Sequence, residues 1–310
     1  MKVLIAGGRG FLGGALRRAL TKDGHEVTIL TRGNAIRKGE IHWDARHTGE
    51  WTSSLTTADA VVNASGYGLE HWPWSQTQKR RFLSSRVEPG RLLAQSIAES
   101  PRRPRVFIQY SGINRYGLHG LVVAGEDTPA ADDFLARLTV EWEAATRPLE
   151  EIGVRHVVVR NAVVLHQRQG LFPLLSLPAK LFAGGRFGTG RQTVSWIHLA
   201  DQVRAVRRLL EDESARGAYN LIAPASTTNE EFMQSVCRWA GRPYWLHVPA
   251  LALRLLLGEM SVLIIGGRPS RPKRLLEAGF EFAFPTIDSA LQDLLKGHED
   301  SVSLAGETPT

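Results

Sequence analysis

The chain has 310 residues, 43% hydrophobic and 22% charged, which suits a globular protein with a large core and excludes a disordered one. Lysine and arginine outnumber aspartate and glutamate 38 to 31, a formal charge of +7 that favours anionic partners. The arginines are scattered along helices with no zinc-finger or RNA-binding motif, so the expected partner is a small-molecule substrate or effector, phosphorylated molecules included, rather than nucleic acid. Cys237 is the only cysteine, which excludes an intrachain disulfide and a cysteine metal site and makes a reducing compartment, the cytoplasm, the expected location.

The opening stretch, MKVLIAGGRGFLGGALRRAL, predicts a strand over 3–7 that breaks into glycines before a helix over 11–24. Its apolar run is four residues long before the glycines, too short for a secretory signal. Gly7, Gly10 and Gly13 read G-x-x-G-x-x-G directly after that strand. Such a turn lets backbone N–H groups approach a pyrophosphate at the positive end of a helix, while the last glycine permits close packing of helix on strand. A tight strand-to-helix turn without a ligand is the alternative.

A second strand over 26–31 ends at Thr31-Arg32, where an NAD site would carry an acidic residue for the ribose hydroxyls. A hydroxyl beside a guanidinium can instead hold a 2′-phosphate through charge-assisted hydrogen bonds, so NADP(H) is expected over NAD(H). Trp43-Asp44 follows a third strand, and a strand over 60–65 ends in Asn63-Ala64-Ser65, whose small residues let the chain pass close to a ligand. A helix is predicted over 84–100, a strand over 105–111, a helix over 134–153 and a single strand over 156–165. Continuous β-branched runs alternating with helices imply a parallel sheet buried on both faces: an α/β, Rossmann-type doubly wound fold.

After about residue 165 the rhythm changes to a glycine-rich loop over 184–196, a helix over 200–212 and a strand over 218–223. The run at 251–267 is interrupted by Arg254 and Glu259 well short of a membrane span, so it is expected to be a buried helix and strand, with no membrane partner. The boundaries that follow are a cofactor-binding domain over 1–165, a smaller C-terminal substrate-side lobe over 166–296 with elements returning to the core, and a disordered tail over 297–310. The oligomeric state stays open.

With AGGRGFLG at the start, HEVTILTR at the second strand, DAVVNASG at the fourth, SSR at 84–86, WE at 142–143 and GGRFGTGRQTVSWIHLAD at 184–201, the sequence resembles the short-chain dehydrogenase/reductase superfamily in its extended, epimerase-like form. It is most similar to the atypical group carrying an extra C-terminal domain of unassigned function, through LGEMSVLIIGGRPSRPKRLLEAGFEF at 257–282. The resemblance implies Gly7, Gly10, Phe11, Leu12 and Gly13 at the cofactor phosphates, Thr31 and Arg32 at the 2′-phosphate, and Ala64 and Ser65 beside the ribose, with Arg86, Arg81 and Val164 also against the cofactor.

That superfamily's chemistry needs a Tyr-x-x-x-Lys pair, in which the ammonium lowers the phenol pKa one helical turn away. Aligned by WE, the pair falls near Leu135 and Thr139, neither of which can do that work. In YSGINRYG, Ser111 precedes Gly112, which stands where the resemblance puts a catalytic serine, so Ser111 and Tyr116 are the catalytic nominees; a capping serine and a packed tyrosine are the alternative. On the substrate side Arg191, Trp196 and His198 are candidates, Arg191 for an anionic group and His198 as a base or as a holder of its loop. His198 and Asp201 lack further ligands at suitable spacing, so no metal site is expected. Two functions remain: an NADP(H)-dependent, epimerase-like oxidoreductase acting on a small sugar-like or anionic molecule, or an NADP(H)-binding sensor or scaffold without turnover.

Overall fold

The computed structural model describes residues 1–33 and 36–296; the tail expected over 297–310 lies outside the described residues. Seven parallel strands form one sheet. In chain order the strands of this sheet and of two smaller ones are β1 (Lys2–Ala6), β2 (Glu26–Thr31), β3 (Glu40–His42), β4 (Ala60–Asn63), β5 (Val106–Gly112), β6 (Arg155–Asn161), β7 (Val163–Leu165), β8 (Gly185–Phe187), β9 (Trp196–His198), β10 (Gly217–Leu221) and β11 (Leu246–Val248). The helices are α1 (Phe11–Lys22), α2 (Gln76–Glu99), α3 (Phe134–Ala144), α4 (Pro148–Glu151), α5 (Phe172–Lys180), α6 (Leu199–Glu211), α7 (Asn229–Ala240), α8 (Ala250–Leu257), α9 (Val262–Ile265), α10 (Lys273–Glu277) and α11 (Ile287–Leu295).

The sheet order is β3-β2-β1-β4-β5-β6-β10, with the order reversing between β1 and β4. Ile5 pairs with Ile29 on one side and Val62 on the other, and the same register carries through to β5 and β6. Side chains alternate across a strand, so β1 serves two cores at once. Val3 and Ile5 join Val62 and Ile108 beneath Leu16 and Leu20 of α1 and Val206 and Leu209 of α6, whereas Leu4 and Ala6 join Val61 and Phe107 beneath Leu93 and Ile97 of α2. Burial on both faces is why the strands read as continuous apolar runs.

The smaller lobe rests on a core of its own, in which Phe172 meets Phe232 and Trp239 edge-on, with Met233 and Leu291 alongside. Two short parallel pairs, β7 with β9 and β8 with β11, frame it. Helix α7 starts in a reciprocal cap between Thr228 and Glu231 and ends on Gly241 in the left-handed region. The chain crosses back twice: α6 packs on α1, and β10 becomes the seventh strand of the sheet.

Several predicted elements change shape. The strand expected over 156–165 is two, because the backbone leaves the main sheet after Asn161: Ala162 N–H still donates to Leu221 O at 3.1 Å, but Val163 N–H donates to Ser195 O at 3.1 Å in the other sheet. The helix expected over 134–153 breaks before Pro148, which starts α4. Helix α2 begins well before the expected residue 84, capped by the Ser75 hydroxyl, which accepts from Gln78 N–H at 3.2 Å. The run at 251–267 is neither a strand nor wholly buried: α8, a 3₁₀ turn over Gly258–Ser261 and α9 follow one another, Leu253 faces inward, and Leu251, Leu255 and Leu256 are exposed. An apolar run longer than one helix face has only one side to bury. Among the described residues no helix is long and apolar enough to cross a membrane.

Candidate functional site

The glycine turn is held by backbone rather than by side chains. Gly10 N–H donates to Gly7 O at 2.9 Å, and no side chain caps α1 at Gly10. Gly7 has φ +82°, and a Cβ there would lie 2.7 Å from Ala64 O; at Gly13 it would lie 2.4 Å from Gly7 O. Both positions therefore require glycine, and through them the turn meets the end of β4 and packs onto its own helix. The cleft along this edge sits at the reversal of strand order, at the carboxyl ends of the strands.

At the outer end the turn, Thr31, Arg32, Ala64, Ser65 and Arg81 enclose a cavity of about 540 Å³. Thr31 Oγ1 accepts from Gly33 N–H at 3.2 Å, and Ser65 N–H donates to Asn63 Oδ1 at 3.2 Å. Asp44 lines the same cavity, yet its carboxylate is engaged by its own turn: His47 and Arg46 N–H each donate at 2.8 Å and the His47 ring at 2.6 Å. Those bonds, from His47 above all, hold it well below the usual carboxylate range. Arg81 lies over the Tyr67 ring at 3.9 Å.

The sequence reading missed Arg9, inside the glycine turn itself. Its guanidinium pairs with Glu40, a buried carboxylate that Arg17 also approaches at 3.9 Å. The hydrogen bond to Glu40 raises the Arg9 pKa, and Arg9 lowers that of Glu40. A basic residue between the first two glycines of the triplet was a visible signal.

Further along the cleft stands Arg86. It is 7% exposed, donates from Nη1 to Phe82 O at 3.0 Å and lies 5.0 Å from the Trp142 ring. Its Nε is buried without a hydrogen-bond partner among the described residues. Burial lowers its pKa to about 10, Glu70 acting the other way. A desolvated cation with an unmet donor is matched to an anionic or strongly polar ligand.

The inner end is a cavity of about 340 Å³ lined by Phe11, Leu12, Val164 and Ser111 and by residues of the smaller lobe. Ser111 Oγ donates to Glu143 Oε1 at 2.8 Å. Glu143 also receives Arg160, at 2.8 and 2.9 Å, with Arg115 at 3.5 Å. Burial lowers the Arg160 pKa, but the bonds from Glu143 outweigh it and the net shift is upward. Tyr116 is fully buried and lies outside the cavity lining; its hydroxyl donates to Asn220 Oδ1 at 2.7 Å and accepts from Arg160 Nη1 at 2.7 Å. Ser111 and Tyr116 thus belong to one polar network, with only Ser111 at the cleft. Leu135 and Thr139 are buried on α3, Thr139 Oγ1 donating to Ala136 O at 2.8 Å.

The three substrate-side candidates do not converge on the cleft. Arg191 is exposed in its loop, and neither it nor Trp196 or His198 lines the cavity. Trp196 sits in the lobe core and donates from Nε1 to Thr227 Oγ1 at 3.1 Å. His198 caps α6, Nδ1 accepting from Ala200 N–H at 3.2 Å, while Nε2 lies 3.4 Å from Asp293 and the ring lies tilted against Phe284, centroids 4.0 Å apart. The residues between them, Thr193, Val194 and Ser195, are the ones that reach the cavity. Among the described residues no cluster of three or more histidine, cysteine, aspartate or glutamate side chains could hold a metal ion.

Burial lowers the pKa of His198 and also of His156, whose ring meets Thr146 Oγ1 at 2.9 Å and Glu150 Oε1 at 2.8 Å. A histidine kept neutral in the fold binds its proton more readily when unfolded, so its stability contribution is complete above the ordinary value of 6.5 and is lost as the pH falls toward the depressed folded value. The melting temperature is expected to drop between about pH 7 and pH 5, less steeply in His156→Gln; a flat profile across that window would contradict the assignment.

A family model described as NAD dependent epimerase/dehydratase matches residues 3–221, which build nearly all of the seven-stranded sheet and the outer end of the cleft. The chain belongs to that family. A second model, a domain of unknown function, matches residues 248–294. Among relatives of this epimerase family, SDR39U1 of Mus musculus is 35% identical over 95% of this chain and 100% of its own length, and YfhF of Bacillus subtilis (strain 168) is 34% identical over 95% and 98%. The crystal structure of human SDR39U1 (isoform 2) with NADPH superposes with a TM-score of 0.88 at 34% identity, covering 96% of this chain and 99% of that one. A nucleoside-diphosphate sugar epimerase from Corynebacterium glutamicum gives 0.79 at 29%, covering 95% of this chain and 58% of that one. The chain therefore has the epimerase-family, NAD(P)-binding fold expected from its sequence, yet it carries no Tyr-x-x-x-Lys pair at Leu135 and Thr139.

Proposed function

We propose that this epimerase-family protein holds NADP(H) along the cleft and works as an oxidoreductase on a small molecule in the inner cavity. The carrying observation is the outer end of the site. No carboxylate stands at the end of β2, Thr31 and Arg32 line the cavity beside Arg9, and the nearby Asp44 is tied up in its own turn. Gly7, Gly10, Gly13 and the first turn of α1, with Phe11 and Leu12, would receive the phosphates, Ala64 and Ser65 the ribose, and Arg81, Arg86 and Val164 the walls beyond. The human relative crystallised with NADPH supports the same assignment. When bound, the cofactor supplies a hydride at its nicotinamide.

Ser111 is the residue we nominate to exchange a proton with substrate, its hydroxyl oriented by Glu143; Tyr116 positions Arg160 from behind. A second reading, a sensor or scaffold that binds NADP(H) without turnover, is favoured by the apolar and hydroxyl residues at Leu135 and Thr139, where no ammonium can lower a phenol pKa. We place the molecule in a reducing cytoplasm, in keeping with its buried lone Cys237.

Calorimetric titration with NADPH and NADH tests the cofactor reading. NADPH is expected to bind at least about tenfold tighter, and Arg32→Ala is expected to remove most of that difference, since a charge-assisted hydrogen bond is worth about 1.5–3 kcal/mol. Equal affinity for the two cofactors in the unaltered protein would refute it. Loss of NADPH oxidation in Ser111→Ala, against a panel of aldehydes and ketones, would separate turnover from mere binding.

A further inference from the structure

Past the expected nicotinamide end, the inner cavity runs into the smaller lobe, where its walls change character. Leu171, Leu175, Phe187, Phe232, Met233 and Ile264 make up their apolar part, and Thr193, Ser195 and Ser270 add hydroxyls. The lobe contributes one charged side chain, Arg268, whose Nε and Nη1 donate to Val122 O at 3.2 Å and Tyr116 O at 3.1 Å. Asn229, a polar wall residue, uses its Oδ1 to accept from Phe187 N–H at 2.9 Å. Arg191, the cation that sequence reading assigned to an anionic substrate, lies outside the lining, whereas Glu70 lies within it.

Arg86 also lines this cavity, at the end next to the cofactor it is assigned to above, so a diphosphate moved from water into the lobe walls would lose its hydration with only the already engaged Arg268 beside it, and a carboxylate nearby. An apolar group entering the lobe side of the same space releases water from the leucine, phenylalanine and methionine surface. The volume of about 340 Å³ for the whole inner cavity is at the small end of ligand sites, which span roughly 300–1,000 Å³.

We propose that this chamber takes a small, uncharged, apolar molecule and excludes nucleoside diphosphate sugars. The proposal deepens the cofactor reading above and rests on it for which end of the cleft is left to substrate. It separates this protein from any family member that grips a nucleotide in the equivalent lobe, and the separation comes from the side chains of α5, α7 and α9, not from the fold.

The test titrates the full-length protein first with NADPH, then, with NADPH saturating, with n-butanol, n-hexanol, n-octanol and UDP-glucose. Alkanol affinity is expected to rise about fourfold per added methylene, the increment for burying one such group, while UDP-glucose gives no saturable heat. Ile264→Asp, at a half-buried wall position, is expected to weaken octanol at least tenfold, its melting curve and NADPH titration showing that the fold stands. Binding of UDP-glucose tighter than hexanol, alkanol affinity flat with chain length, or octanol affinity unchanged in the variant would each overturn the proposal. Should NADPH itself fail to bind, the cofactor reading falls, and the alkanol series on the unliganded protein still reads the chamber. Should the variant not fold, the chain-length series and the UDP-glucose comparison in the unaltered protein decide.

Discussion

Replacing Arg86 by methionine is expected to weaken NADPH binding by about 10- to 100-fold while raising the melting temperature by roughly 2 °C. The two effects have opposite signs for one reason. In the protein alone, Arg86 is a desolvated cation: its pKa is pushed down to about 10 chiefly by burial, its Nε lacks a partner among the described residues, and one backbone carbonyl, a long bond to the Ser85 hydroxyl and a neighbouring ring offset only part of the loss of water. Methionine fills the volume with no charge to bury, so the fold gains. The same desolvation is what gives the guanidinium its strength toward a cofactor. Differential scanning calorimetry and NADPH titration on one preparation check both arms. A variant that binds NADPH as the parent does would show that Arg86 faces no ligand, and one that melts lower would show that its burial is compensated.

Gly13→Ala should cost at least tenfold in NADPH affinity and roughly 1–3 kcal/mol in stability. Its methyl group would lie 2.4 Å from Gly7 O and 2.9 Å from Gly7 C, and both contacts are backbone, so neither can rotate away. The helix must therefore lift off the glycine turn and carry its N–H groups with it. Gly24→Ala is the control: Gly24, unlike Gly13, has positive φ, +82°, but its added Cβ would meet nothing within 4 Å, so stability should fall by about 1 kcal/mol with cofactor affinity unchanged. Equal loss of affinity in the two variants would mean that the turn is not the phosphate cradle.

Much of the cofactor half was legible because its determinants are local. A strand, three glycines and a helix follow within one short segment, and Thr31-Arg32 closes the adjacent strand, so spacing along the chain translates directly into position at the sheet edge. Arg9 was equally local and was passed over. The substrate half resisted the same reading. The Arg191, Trp196 and His198 segment looked like one polar cluster, but the strand begins only at Trp196 and sends Trp196 into the lobe core and His198 toward Asp293, while the loop before it, Thr193 to Ser195, meets the cavity. The helix α8 misled for a related reason: its apolar residues continue around the helix, and only contact with the lobe shows that Leu253 is buried while Leu255 is exposed.

By itself the sequence determined the parallel sheet, the glycine turn and the place of Thr31 and Arg32 at the outer cavity, since periodicity and short spacing suffice to fix a strand, a tight turn and the residue that ends it. Only the tertiary structure decided which polar groups remain available for chemistry. Ser111 meets Glu143 across 32 residues of chain and Tyr116 meets Asn220 across 104, and a hydroxyl's partner depends on what distant segments bring to it, which no local pattern encodes.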